Sequence, residues 1–111
     1  MRAIADSCGA ILLADVSHPA GLIAAGQLSN PVGLADVISM TTHNTLCGPR
    51  GAILISTDPG HARALDGAVF PGEQGGPHLH QIAAKAVCFA IAKTPKFRAL
   101  MKQIVANTKA L

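Results

Sequence analysis

Thr41, Thr42, His43, Asn44 and Arg50 fall within one short stretch, TTHNTLCGPRGA. Hydroxyls, an imidazole and a guanidinium beside glycines are groups that hold, orient or protonate a small ligand. What the stretch lacks is a nucleophilic amine. Asn44 carries a carboxamide, whose nitrogen is delocalised into its carbonyl and is neither basic nor nucleophilic at neutral pH. A second cluster lies upstream, where Asp15 and His18 are spaced Asp-x-x-His. Read alone, Asp15 caps the turn that follows it. Read functionally, it is a carboxylate that holds a protonated ring nitrogen, as in pyridoxal phosphate sites.

Each of these residues also has a plain structural reading. His18 alone is a hydrogen-bonded structural histidine, and Thr41 and Thr42 are β-branched strand residues. Arg50 either bonds loop carbonyls or meets an anion. Gly75 and Gly76 either make a turn or let backbone N–H groups approach a phosphate. His78 and His80, two apart, are expected on different sides of a helix and read as structural.

The elements that must position these groups are short. Ala10–Asp15 (AILLAD), Ala35–Met40 (ADVISM) and Gly51–Ser56 (GAILIS) are apolar runs of the kind found in buried parallel strands. Ligand crevices in open α/β sheets lie outside the carboxyl ends of the strands. Asp15 with His18, and Thr41 with His43, fall at such ends. Arg2–Gly9 reads as the last turns of a helix closed by a glycine. Asp58 and Pro59 open a capped helix, and Phe70–Pro77 is a loop by its glycines and prolines. Leu79, Ile82, Ala83, Ala86, Val87 and Ala90 recur at helical spacing, and a second helix after Thr94-Pro95 carries Phe97, Leu100, Met101, Ile104, Val105 and Leu111. Each is expected to bury that face.

The 111 residues allow one small domain. Half are hydrophobic and 14% are charged, a buried-core composition that argues against disorder. Trp and Tyr are absent and Phe occurs three times, so the core is aliphatic. The net charge is +3, and the basic residues near the C-terminus have no interleaved aromatics, which argues against nucleic-acid binding. Cys8, Cys47 and Cys88 are far apart and form neither a disulfide framework nor a zinc motif, so a reducing, cytoplasmic setting is expected. No apolar run approaches the roughly 18 residues of a membrane span.

Three segments taken in order carry more than any one of them. ADVSHPAGLIAAG, TTHNTLCGPRGA and VFPGEQGGPHLHQIAAKAV together resemble serine hydroxymethyltransferase, whose D-x-x-H-x-x-G-L, T-T-H-K-T-L-x-G-P-R-G and P-G-x-Q-G-G-P segments follow in the same order. The resemblance covers essentially all 111 residues. It implies an α/β fold: part of a fold-type I pyridoxal phosphate-dependent transferase large domain, with a mostly parallel sheet and flanking helices, truncated at both ends. Residues 1–76 would supply strands and site loops, and 77–111 two helices. The implied activity is transfer of a one-carbon unit between serine and tetrahydrofolate, giving glycine, by a dimer or tetramer.

The resemblance also implies roles. Asp15 matches the aspartate that bonds the pyridine nitrogen, and His18 a histidine beside the ring. Thr41 and His43 match the residues flanking the Schiff-base lysine, and Arg50 the arginine of the following loop. Gly75 and Gly76 match glycines that reach the cofactor phosphate of the neighbouring subunit. Asn44 matches the lysine itself, so the chain is expected to be inactive alone. Lys85 lies in a helical pattern and is not expected to replace it. Two other readings are a non-catalytic subunit docking on an intact enzyme, and an aminotransferase or aldolase on the same fold.

Overall fold

The computed structural model describes residues 1–111. Helix α1 (Arg2–Cys8) ends at Gly9, whose φ of 66° is left-handed backbone that glycine adopts without strain. Strand β1 (Leu13–Asp15), helix α2 (Ala20–Ala24), strand β2 (Val37–Thr41) and strand β3 (Ala52–Ile55) follow, then helices α3 (Pro59–Gly67), α4 (Leu79–Ala92) and α5 (Pro95–Ala110). Local chemistry sets most of these boundaries. Asp58 accepts from the backbone N–H of His61 at the start of α3, and Thr94 accepts from Phe97 at the start of α5, each with proline at the first helical position. Between α3 and α4, residues 68–73 continue as a wide helical turn broken at Phe70, where an open loop is expected. No helix is long and apolar enough to cross a membrane.

The sheet has the order β1-β2-β3 and is mixed. β1 and β2 are parallel, with Asp15 opposite Ser39, and the connection between them carries α2. β3 runs antiparallel to β2, with Thr41 opposite Ala52 and Ile38 opposite Ile55, which corrects the expectation of a third parallel strand. The cause is the connection. Parallel neighbours need a crossover of a dozen or more residues, generally helical, whereas residues 42–51 form a tight loop that returns the chain directly. At the amino ends of β1 and β2, Asp36 accepts from Arg2 at 2.8 Å and from the backbone N–H of Leu12 at 2.7 Å, tying α1 to the sheet.

The core is small. Ala20, Ala25, Leu46, Cys88, Phe97 and Met101 form it, joining α2, the loop after β2, α4 and α5. Phe97 and Met101 are buried as their spacing on α5 predicts, while Leu100 and Leu111 are exposed. On α4 the expected face is the wrong one: Leu79, Ile82, Ala83, Ala86, Val87 and Ala90 are all exposed. Gln81, Ala84, Lys85, Cys88, Phe89 and Ala92 are covered instead. The helix is apolar on both sides, so periodicity alone does not choose between them. The choice falls to Cys88, which fits where Gly48 leaves room: a Cβ on Gly48 would lie 2.6 Å from Cys88 Sγ. The radius of gyration is 15.6 Å, against about 13 Å for a compact domain of this length, and the extents of 41 × 39 × 22 Å describe a slab.

Candidate functional site

Because β1 and β2 are parallel, their carboxyl ends lie side by side and present Asp15 and Thr41 at one edge of the sheet. Pairing Asp15 with Ser39 puts Asp15, Ser39 and Thr41 on the same face by the two-residue period of a strand. Asp15 Oδ1 accepts from the Ser17 backbone N–H at 2.9 Å and from its hydroxyl at 2.6 Å. The Ser17 hydroxyl, then its backbone N–H, hold the Asp15 carboxyl below the usual aspartate range, with smaller pulls from Ser39 and His18. The carboxylate is therefore ionised, exposed, and has Oδ2 left for a proton-bearing ligand nitrogen.

The carbonyl of Ser17 is the hinge of the arrangement. It accepts from Thr41 Oγ1 at 3.1 Å and from Asn44 Nδ2 at 3.2 Å, while Asn44 Nδ2 also donates to Thr41 Oγ1 at 2.7 Å. Asn44 thus spends its amide N–H groups on the end of β2 and on the turn after β1. Next to it, the Thr45 hydroxyl donates to the His18 carbonyl and accepts from the Gly21 N–H at 2.8 Å. That contact requires glycine: a Cβ on Gly21 would fall 2.2 Å from the Thr45 carbonyl oxygen.

The loop closes on itself through Thr42 and His43. Thr42 is fully buried, and its hydroxyl donates to the carbonyl of Pro49, with that of Gly51 at 3.2 Å. His43 Nδ1 lies 3.4 Å from the Gly51 N–H and accepts from it, which leaves Nε2 as the ring's donor in the neutral form. Arg50 is exposed and in neither of the ion pairs, Arg2–Asp6 and Arg2–Asp36, nor in the His61–Asp58 contact. It therefore does not hold the loop through a carboxylate.

Six of the eight sequence candidates fall into two groups, with His43, against Gly51, and Gly76 outside both. Asp15, His18, Thr41 and Asn44 are linked through Ser17 and Thr45. Arg50 and Gly75 line a separate open groove of about 1040 Å³ with Lys85 and His78. Gly75 and Gly76 are exposed, neither amide donates to the backbone, and the space a Cβ would occupy at either is empty. His78 and His80 are not on opposite sides: His78 precedes α4, and the two rings meet edge to face at 5.5 Å. Ser17 and Thr45 escape the sequence reading because they act through backbone groups distant in the chain. The one usable signal is Ser17's place two residues after Asp15, the spacing of an Asx turn. No group of three His, Cys, Asp or Glu side chains is arranged for a metal.

The family model described as serine hydroxymethyltransferase matches residues 1–111. The chain is 53% identical over 110 residues to a serine hydroxymethyltransferase of Myxococcus xanthus (strain DK1622), covering 99% of this chain and 26% of that protein. It is 53% identical to the protein of the same name from Synechococcus sp. (strain JA-3-3Ab), with 99% and 25% covered. A Leuconostoc mesenteroides relative is 51% identical, with 99% and 27% covered. The chain spans about a quarter of the length of the curated relatives it matches.

Proposed function

Because this chain belongs to the serine hydroxymethyltransferase family, we propose that its segment serves a pyridoxal phosphate-dependent exchange of a hydroxymethyl group between serine and glycine with tetrahydrofolate, and that with Asn44 in place the segment binds and positions without completing that chemistry. The observation that carries the reading is the linked set at the ends of β1 and β2: an ionised Asp15 beside a Thr41–Asn44 pair.

The residues present fit one half of the cofactor's needs. Asp15 carries a free carboxylate oxygen beside two Ser17 bonds, a partner for a protonated ring nitrogen. His18, on the turn after β1, would neighbour the ring, and Thr41 and His43 lie near position 44 in the chain. The exposed backbone of Gly75 and Gly76 suits the phosphate of a cofactor held by a neighbouring subunit, so a homo-oligomer is part of the proposal. When bound, the cofactor supplies an electron sink for the bond broken at the amino acid's α-carbon. Covalent attachment is the half that does not fit, since the Asn44 carboxamide has no basic nitrogen. Asp15 would keep a proton on the ring nitrogen, Thr41 fixes the residue at 44, and Arg50 offers an uncompensated positive charge to an anion. The three free cysteines suit a reducing, cytoplasmic setting.

The test is a chimera in which these residues replace the matching segment of the Myxococcus xanthus relative. With Asn44 it should assemble and take up pyridoxal phosphate reversibly, yet cleave serine negligibly with or without tetrahydrofolate. With Asn44→Lys it should turn over. Turnover by the Asn44 chimera would refute the inactive reading. A folded Asn44→Lys chimera without turnover would refute the transferase reading of the remaining site.

A second reading, a non-catalytic subunit docking on an intact enzyme, is favoured by one observation. Leu79, Ile82, Val87 and Ile91 on α4 are each more than half exposed, a contiguous apolar face. Co-expression with the intact Myxococcus relative and measurement of the mass of the assembly decides it: a mixed oligomer supports docking, and two separate species reject it.

A further inference from the structure

Lys85, on the covered face of α4, brings an amine against the end of the site loop. Its Nζ donates to the Ala52 carbonyl at 2.9 Å. It crosses Gly51 so closely that a Cβ there would lie 2.8 Å from Cε and 2.9 Å from Nζ. The same Gly51 gives its N–H to His43 and its carbonyl to Thr42. Lys85 and Arg50 line one groove of about 1040 Å³, in which Asp66 is the one carboxylate. Neither cation is in an ion pair. A tethered primary amine and an unpaired guanidinium on one open groove make a place for a molecule with an electrophilic carbonyl at one end and an anion at the other.

We propose that Lys85 is the amine of this chain that captures anionic aldehydes, with Arg50 holding the anion. The step is a condensation. Lys85, as the free amine, leaves the Ala52 carbonyl and its lone pair attacks the aldehyde carbon. Two protons pass in turn through water from nitrogen to the former carbonyl oxygen, which leaves as water, and a C=N bond remains. Nothing is oxidised or reduced, and the reaction reverses with water. The inference needs neither Asp15 nor a reactive group at position 44, so it stands or falls apart from the transferase reading.

The experiment uses the whole chain and pyridoxal phosphate as the anionic aldehyde, with borohydride reduction to fix the C=N bond and mass spectrometry of the digest to locate it. The competitors are the exposed α-amine of Met1 and Lys93, Lys96, Lys102 and Lys109, of which Lys93 shares a different, apolar groove with Arg98. Lys85 should take the label roughly tenfold faster than each of them, the discrimination of about one charge-assisted hydrogen bond. Pyridoxal without the phosphate, and the Arg50→Gln chain with the phosphate, should both lose the preference. Uniform labelling, as in a denatured control, or a preference for Lys93, would overturn the proposal. A preference for Lys85 that survives both losing the phosphate and Arg50→Gln would overturn the role given to Arg50.

Discussion

Asn44 Nδ2 lies 2.7 Å from Thr41 Oγ1 and 3.2 Å from the Ser17 carbonyl. A residue unable to act as an amine nucleophile is thereby a bracket between the carboxyl end of β2 and the turn after β1. Removing the bracket has a measurable consequence. Asn44→Ala should cost about 1–2 kcal/mol in urea unfolding, the sum expected for two modest hydrogen bonds. Thr41→Val should cost a similar amount, and the double variant less than the sum, because both remove the same contact. Additive losses would show that the two side chains act independently. Asn44→Lys should cost less than Asn44→Ala, since an ammonium can donate to the same two oxygens.

Gly21 and Gly67 should respond oppositely to alanine. At Gly21 the new Cβ would lie 2.2 Å from the Thr45 carbonyl oxygen and 2.4 Å from its carbon, both backbone atoms that cannot swing aside. Gly21→Ala should therefore destabilise by about 3 kcal/mol or more. At Gly67 the Cβ meets nothing within 4 Å. The backbone there is already helical, so Gly67→Ala should stabilise by about 0.5–1 kcal/mol. Thermal unfolding of both variants reads the two signs, and equal effects would reject the close approach of α2 to the loop.

Acid should loosen the amino end of the sheet. The Arg2 guanidinium, then the Leu12 N–H, hold the Asp36 carboxyl below the ordinary range. A depressed folded value means the stabilisation is complete above the unfolded value of about 3.9 and is lost as pH falls through the folded one. Asp15 and Asp58 carry the same sign. Unfolding midpoints followed downward from neutral pH should drop across that window. Asp36→Asn should lower the neutral plateau and flatten the acid limb, and an acid limb unchanged in that variant would remove Asp36 from the account.

What was legible in the sequence is what short-range chemistry decides. Gly9 closing α1, Asp58-Pro59 opening α3 and Thr94-Pro95 opening α5 each depend on groups within four residues of one another. The three strands were legible as apolar runs, and the placement of Asp15 and Thr41 at neighbouring ends followed from them. The direction of β3 was not, because the run Ala52–Ile55 reads alike in either sense and residues 42–51 decide it. The buried face of α4 was not, because Gly48 and Cys88, distant in the chain, select it. Helix α2 was missed because it is one short run opened by Pro19 with no side-chain cap. The ties from Thr41 and Asn44 to the turn after β1 were missed for a similar reason: they end on the Ser17 carbonyl, and a carbonyl belongs to every residue type.

The three thiols should separate by reactivity. Cys8 and Cys47 are exposed, whereas Cys88 is buried with its Sγ donating toward the Leu46 carbonyl at 3.4 Å. Burial pushes the Cys88 thiol up, with a smaller push from Cys47, so less of it is thiolate at any given pH. The thiolate is the form that reacts. In mildly alkaline buffer iodoacetamide should modify Cys8 and Cys47 promptly, and Cys88 only as denaturant unfolds the chain. The contact with Gly48 supplies the control. A Cβ at that position would press on Cys88 Sγ at 2.6 Å and on the Thr42 carbonyl at 2.8 Å, so Gly48→Ala must push α4 from the loop. Cys88 in that variant should react without denaturant. Three thiols reacting at one rate in the unaltered chain would mean that α4 does not hold its place against the loop, and the covered face assigned to it would be wrong.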